Sequence, residues 1–202
     1  MKLYYAPGAC SLSPHIVARE AGVDVQLAKV DLGSHKVEGG ADYYGVNPKG
    51  YVPALEVSQG QVLTEGPAIV QYLADQKPQS GLMPAAGSLD RYRVAETLAF
   101  ISSEIHKTYS PLFNPATSAE FAEDRRGYLK KRYQVIDKQL QGREYLVGNQ
   151  FTVADAYLFT VTSWAPHVKL DLSEFKNLQA FQQRVGARPA VQTALREEGL
   201  LK

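Results

Sequence analysis

The spacing of apolar and polar residues divides the chain into two regions. In residues 1–77, short apolar runs typical of strands alternate with helical periods, in the order β-α-β and then β-β-α. Residues 78–88 are rich in Pro, Gly and Ser, which is typical of a linker. Residues 89–202 carry helical periods without strand patterns. The pattern therefore predicts an α/β domain followed by an all-α domain.

The spacing of apolar residues and the residues that start or stop helices also predict the individual strands and helices. The predicted strands cover residues 2–5, 25–30, 54–57 and 61–63. The predicted helices cover residues 14–21, 64–76, 89–109, 119–140, 152–166, 173–186 and 189–198. Residues 33–50 are expected to form a long connection with one helical turn around Tyr43 and Tyr44.

Composition narrows the functional classes. The 22 Lys and Arg nearly balance the 21 Asp and Glu, so no net charge attracts nucleic acid or anionic lipid. No stretch approaches the ~20 apolar residues of a membrane helix. The single cysteine cannot form an internal disulfide, and the four histidines show no metal-ligand spacing. We therefore expect a cytoplasmic protein without a metal site that binds neither nucleic acid nor membranes.

That cysteine, Cys10, lies between the first predicted strand and the first predicted helix. Ser13 is expected to be the N-cap and Pro14 the first helical residue, so Cys10 would precede a helix N-terminus that favours an anion. Such a terminus contributes ~0.3–1 kcal/mol, which lowers a thiol pKa by about one unit. A reactive thiol would therefore need a second donor or cation nearby. The alternative is a buried cysteine that packs as a small hydrophobe.

Two other helical segments carry candidate chemistry. A helix is predicted to start beside Glu65 and Gly66, where backbone N–H groups could bind the carboxylate of an amino acid and Glu65 could bind its ammonium group. Alternatively, Glu65 only complements the helix dipole. In the helix 89–109, small and polar residues form a stripe that includes His106, followed by Lys107. These two could supply the proton donor and cation that Cys10 needs, or they could form an exposed helix end.

Several motifs in a fixed order make the whole chain similar to bacterial glutathione S-transferases of the beta class. The motifs occupy residues 1–12, 46–50, 52–55, 63–66, 106–107, 111–113 and 151–161. The resemblance implies a thioredoxin-like N-terminal domain over residues 1–77, a linker over 78–88, and an all-helical domain over 89–202. The helical domain would complete the site for the electrophile and form the interface of a homodimer.

The resemblance also implies the site residues. Cys10 and His106 would flank the glutathione sulfur as catalytic residues, and the Val52 backbone, beside a cis bond to Pro53, would pair with the cysteinyl part. Sequence pattern alone favours a trans bond there. The complete implied glutathione-binding set is Ala9, Cys10, His35, Tyr51, Val52, Pro53, Glu65, Gly66, Ala99, Ser103, Glu104, His106 and Lys107. The chain departs from the family pattern at His35, Tyr51 and Ala99, where members carry Lys, Gln and Asn.

The implied function is detoxification by conjugation of the glutathione thiolate, a co-substrate, to small apolar electrophiles. Cys10 could add thiol-transfer or peroxidase activity through a mixed disulfide. Tyr5 and Ser11 are competing candidates for activating the thiol. The alternative functions are a glutaredoxin-like thiol-disulfide oxidoreductase, a glutathione-dependent dehalogenase, and a non-catalytic ligand-binding stress protein.

Overall fold

The computed structural model describes residues 1–201, which form two compact units. Unit 1 comprises Met1–Met83 and the segment that begins at Ala187, and unit 2 comprises Pro84–Gly186. The domain boundaries expected from the sequence remain a prediction, and the units differ from them chiefly in the C-terminal segment.

Unit 1 contains one five-stranded sheet with strand order β3-β2-β1-β4-β5. Its strands are β1 Lys2–Tyr5, β2 Gln26–Asp31, β3 Lys36–Val37, β4 Ala54–Ser58 and β5 Gln61–Thr64. β1 and β2 are parallel and connected by helix α1, Leu12–Ala21, whereas β4 and β5 form an antiparallel hairpin followed by α2, Gly66–Asp75. This β-α-β and β-β-α order confirms the predicted thioredoxin-like region. The short strand β3 and its pairing with β2 were not predicted.

The last helix, α8 (Pro189–Glu197), belongs to unit 1 because it packs on α1. The fully buried imidazole of His15 lies 2.7 Å from a Glu197 carboxylate oxygen and 2.9 Å from a Glu198 carboxylate oxygen. Arg188 forms hydrogen bonds of 2.6 and 2.8 Å with the Glu20 carboxylate. These side-chain contacts hold the last helix of the chain against α1.

Unit 2 is helical throughout, as the sequence predicted. Its α-helices are α3 Leu89–Phe100, α4 Lys107–Tyr109, α5 Ala119–Gln139, α6 Val153–Thr162 and α7 Lys176–Gly186. Shorter 3₁₀ segments cover Ser110–Phe113 and Ala165–Val168. Within the part of the chain that the structure describes, no helix has both the length and the apolar character needed to cross a membrane.

The predicted helix over residues 89–109 is interrupted by a π-helical segment, Ile101–His106. Ile101 and Ile105 are fully buried. A π-helix closes i→i+5 hydrogen bonds, so a spacing of 100° per residue does not hold through this segment. The α-helical period from which the polar stripe was predicted therefore does not apply at residues 101–106.

Helix α6 is buried along its whole length, and a capping box fixes its start. One carboxylate oxygen of Asp155 accepts from the Thr152 N–H at 2.8 Å and from the Thr152 hydroxyl at 2.9 Å, while the other accepts from the Leu146 N–H at 2.9 Å. The sequence Thr152-Val153-Ala154-Asp155 resembles a capping box, with Asp in place of the usual Glu or Gln, and the structure confirms it. Burial nevertheless raises the pKa of Asp155 to about 6, because loss of water outweighs these donors.

Candidate functional site

Ser11 stabilises the loop that carries Cys10 through hydrogen bonds to the backbone of Ala6. The Ser11 hydroxyl accepts from the Ala6 N–H at 3.1 Å and donates to the Ala6 carbonyl at 3.2 Å, and Ser11 itself is fully buried. Helix α1 begins at Leu12 with Ser11 as its N-cap. The prediction of Ser13 as N-cap and Pro14 as first helical residue is therefore wrong. Ser13 instead lies inside the first turn and donates to the Cys10 carbonyl at 2.9 Å.

The Cys10 thiol donates a hydrogen bond to the Val52 carbonyl, with 3.1 Å between sulfur and oxygen. Removal of the sulfur from water raises its pKa to about 12, although the backbone N–H groups of Cys10 and Ser11 act in the opposite direction. The Glu65 charge raises the pKa further. The helix N-terminus alone would lower this pKa by about one unit, so the raised pKa means that burial outweighs the helix. At neutral pH the group is a protonated hydrogen-bond donor.

The segment beside the thiol is rigidly held. The Val52–Pro53 bond is cis, as the resemblance implied, and both residues are buried. The preceding carbonyl, of Tyr51, accepts from the Tyr43 hydroxyl at 2.9 Å and from the Asn47 amide at 2.7 Å. The Tyr51 side chain, in contrast, is 71% exposed. Ala9, on the Cys10 loop, packs against the same buried cluster as Val52.

Glu65 lies at the start of α2 in a left-handed backbone conformation with φ of 70°, which is unusual for a residue other than glycine. Its carboxylate forms an ion pair with Lys49, with 2.7 Å between oxygen and nitrogen. The Lys49 ammonium also donates to the Thr64 hydroxyl at 3.1 Å. Gly66 is the first residue of the helix. The sequence-based set omitted Lys49, because its distance of 16 residues from Glu65 follows no local period.

His35 occupies a second left-handed position, with φ of 52°. Its ring lies 4.6 Å from that of Tyr44, and its Nδ1 is buried without a hydrogen-bond partner. Both rings crowd Gly50, where a Cβ would come within 2.8 Å of Tyr44 and 3.2 Å of His35. Glycine is therefore required at residue 50, which also has a positive φ of 72°.

In unit 2, the predicted binding residues lie around the π-helical segment. Ala99 is exposed, and its carbonyl accepts from the exposed Ser103 hydroxyl at 3.0 Å. The Glu104 carboxylate accepts from the Tyr128 hydroxyl and lies 3.6 Å from the Arg132 Nε. Lys107, at the start of α4, is exposed to solvent.

The His106 imidazole, at the end of the π-helical segment, is surrounded by aromatic residues. Its Nδ1 lies 2.5 Å from the Tyr157 hydroxyl oxygen. The Trp164 ring meets it edge to face at 5.0 Å between centroids. Neither Tyr157 nor Trp164 belonged to the predicted set, and Tyr157 is 51 residues away along the chain. Both belong to apolar positions of the helix predicted over residues 152–166, which indicates burial but does not identify a partner.

The two alternative thiol activators are buried. Tyr5 is 8% exposed, and desolvation, followed by the charges of Glu198, Glu38 and Glu197, raises its pKa. The Ser11 hydroxyl is engaged with the Ala6 backbone. Among residues 1–201, no group of three or more His, Cys, Asp or Glu side chains is arranged to hold a metal ion.

Comparison with known families matches both units. A model of the glutathione S-transferase N-terminal domain matches residues 8–76, and a model of the C-terminal domain matches residues 100–189. The chain is 48% identical to glutathione S-transferase GstA of Escherichia coli O157:H7 over 99% of its own length and 100% of the relative's.

Two solved structures extend the comparison. A sphingomonad glutathione S-transferase in complex with glutathione superposes with a TM-score of 0.95 at 49% identity, covering 99% of this chain and 100% of that one. A beta-class glutathione S-transferase of Sphingomonas chungbukensis superposes with a TM-score of 0.96 at 47% identity, covering all of both chains.

Proposed function

Because the chain belongs to the beta class of the glutathione S-transferase family, we propose that it conjugates the glutathione thiolate to small apolar electrophiles. The observation that carries this proposal is the similarity, over nearly the whole chain, to a sphingomonad transferase solved with glutathione bound. Detoxification is the role that such a reaction serves. The physiological electrophile is to be found among small, mostly apolar compounds with one reactive carbon.

Unit 1 supplies groups that match the parts of glutathione. The backbone at Val52 lies two residues before β4, and its polar groups pair with the cysteinyl part of glutathione in the manner of an added strand. Glu65 accepts the γ-glutamyl ammonium, and the N-terminus of α2 at Gly66 receives its carboxylate. The Lys49–Glu65 ion pair supports this assignment, because it places one charge of each sign where a zwitterion binds.

Cys10 acts as a neutral hydrogen-bond donor to the sulfur of glutathione. Its pKa of about 12 keeps the proton on the thiol at neutral pH, and a hydrogen bond to a charged acceptor is stronger than one to a neutral acceptor. The same proton is donated to the Val52 carbonyl in this structure, so the thiol would turn from that oxygen to the glutathione sulfur when the tripeptide binds. A mixed disulfide through Cys10 is then a slow side reaction, because the thiolate is the attacking form.

Unit 2 contributes the imidazole of His106 as a second donor to the glutathione thiolate. The remaining members of the proposed glutathione-binding set are Ala9, His35, Tyr51, Pro53, Ala99, Ser103, Glu104 and Lys107. We propose further that the enzyme works as a homodimer in the cytoplasm. Size-exclusion chromatography should give about twice the chain mass of 22.2 kDa, and elution at the mass of one chain would contradict the dimer.

The proposed function is tested by assaying the protein with glutathione and an activated aryl halide, and separately with a mixed disulfide. We expect conjugation in the first assay. Disulfide reduction alone would instead indicate an oxidoreductase, and glutathione binding without turnover in either assay would indicate a ligand-binding protein.

The Cys10→Ala variant separates the two activities. We expect conjugation to fall about tenfold, the effect of one lost hydrogen bond to a charged group, and disulfide reduction to be abolished. Ser34→Ala, an exposed substitution in the same unit, serves as the control and should leave both activities unchanged. Undiminished conjugation by Cys10→Ala would remove Cys10 from the proposed mechanism.

A further inference from the structure

His106 is held in one orientation by two aromatic side chains. Its ring meets the Tyr157 ring at 79° with 5.7 Å between centroids, and the Trp164 ring at 68° with 5.0 Å. The 2.5 Å distance from Nδ1 to the Tyr157 hydroxyl oxygen adds a hydrogen bond. One nitrogen of the imidazole is therefore engaged with Tyr157, and Nε2 lies on the opposite side of the ring.

Tyr157 is itself immobilised. It is 2% exposed and lies in the second turn of α6, all of whose residues are buried. The capping box between Thr152 and Asp155 fixes the start of that helix. A side chain in such packing has few alternative rotamers, so its hydroxyl stays in place.

The backbone that carries His106 is equally constrained. The π-helical segment Ile101–His106 is anchored by Ile101 and Ile105, both fully buried. π-helical turns are rare and frequently mark functional positions. The π-helical segment thus holds His106 in place and helix α6 holds Tyr157 in place. Together they bring Nδ1 of His106 and the Tyr157 hydroxyl oxygen within hydrogen-bond distance.

We propose that Tyr157 is a positioning residue that sets the tautomer of His106. The phenol donates its proton to Nδ1, which leaves the imidazole proton on Nε2. A neutral imidazole has one donor nitrogen and one acceptor nitrogen, and the partner of one nitrogen determines which carries the proton. The inference rests on the proposed function in one respect, since the Nε2–H is the donor offered to the glutathione thiolate.

The tautomer is measured directly on protein labelled with ¹⁵N at histidine, at pH 8, where imidazole is neutral. The His106 signals are assigned by their loss in His106→Asn. We expect a single Nε2–H tautomer in the wild type and a mixture of tautomers in Tyr157→Phe. Tyr133→Phe is the matched control: it removes another buried hydroxyl from unit 2, bonded at 2.9 Å to Tyr109, and should leave the His106 signals unchanged. A wild-type proton on Nδ1 overturns the proposal.

Kinetics separate positioning from a structural effect. Tyr157→Phe should lower kcat for conjugation about tenfold and change KM for glutathione less than twofold. In the His106→Asn background the same substitution should change kcat less than twofold, because the group it positions is gone. Equal losses in both backgrounds would show that Tyr157 acts only on the fold. If the wild type does not conjugate, the proposed function fails, and the tautomer measurement still decides the role of Tyr157.

Discussion

Cys10 in unit 1 and Asp155 in unit 2 are two acidic groups with similar positions in the fold and with pKa values shifted in the same direction. Each lies at the N-terminal end of a helix, Cys10 before α1 and Asp155 in the first turn of α6. Each is approached by backbone N–H groups that favour its anion. Nevertheless, the pKa of each is raised above its ordinary value, to about 12 for the thiol and to about 6 for the carboxyl, and desolvation is the largest cause in both.

The difference between the two lies in what they do with the proton. Asp155 accepts three hydrogen bonds from Thr152 and Leu146, so it serves the fold as an acceptor. Cys10 keeps its proton and donates it to the Val52 carbonyl. A helix N-terminus contributes ~0.3–1 kcal/mol, whereas burial shifts a pKa by up to several units at 1.36 kcal/mol each. A position before a helix therefore does not by itself identify an ionised group.

The largest expected effect concerns the alkylation of Cys10 by iodoacetamide. Because only the thiolate reacts and its pKa is about 12, the rate should rise about tenfold per pH unit, roughly a thousandfold from pH 7 to pH 10, without a plateau. Mass spectrometry measures the modified fraction without ambiguity, because the chain has one cysteine.

Unfolding the protein in urea supplies the control for this experiment. An exposed thiol has a pKa of about 8.5, so the unfolded chain should react much faster at pH 7 and approach a plateau above about pH 9.5. If the alkylation rate of the folded protein reached a plateau below pH 9, Cys10 would ionise readily. That result would contradict its role as a neutral hydrogen-bond donor.

The next effect is on stability. Asp155→Ala should lower the free energy of unfolding by about 2–4 kcal/mol, because it leaves buried donors of Thr152 and Leu146 without their acceptor. Urea denaturation followed by circular dichroism measures the change. Glu120→Ala, which removes an exposed acidic residue from the first turn of α5, should cost less than about 1 kcal/mol. Equal costs for the two variants would show that burial of Asp155 adds nothing.

The smallest effect is the pH dependence that Asp155 imposes. Its folded pKa of about 6 lies above the unfolded value of about 3.9, so the folded state binds the proton more tightly. The stability contributed by the protonated form is present below about pH 4 and is lost as the pH rises through about 6. Relative to Asp155→Asn, the wild type should therefore lose up to about 3 kcal/mol between pH 4 and pH 7. Denaturation at several pH values tests this, and a relative gain over that range would contradict the raised pKa.

The sequence predicted the elements of both units well, because most have a strong period or a clear start signal. Thr152 and Asp155 marked the start of α6, and an apolar run followed by the turn at Gly60 marked the β4–β5 hairpin. The short strand β3 was not predicted, because Lys36 and Val37 form too brief a run to show a period. The π-helical segment was not predicted either, because the spacing of its buried Ile101 and Ile105 also fits an α-helix.

The candidate site was less predictable than the fold. Cys10, Glu65 and His106 stood out through residue type and place, whereas Lys49 and Tyr157 became visible only through contacts with residues 16 and 51 positions away. The pKa of Cys10 was unpredictable for a different reason. The sequence showed the helix that follows Cys10 but not that burial in the folded protein would raise the pKa of its thiol.

The π-helical segment determines how this stretch of the chain responds to a change in its length. A π-turn holds more residues than the α-turn it replaces, so deleting one residue between 101 and 105 could restore a continuous α-helix. Because the deleted residue would be the one that the wider turn holds in excess, the residues on either side would keep their places and His106 would still face Tyr157. The same deletion within the regular helix α3 would instead rotate everything after it by about 100° about the helix axis. A change of one residue in length is therefore absorbed at this segment and not elsewhere along the helix.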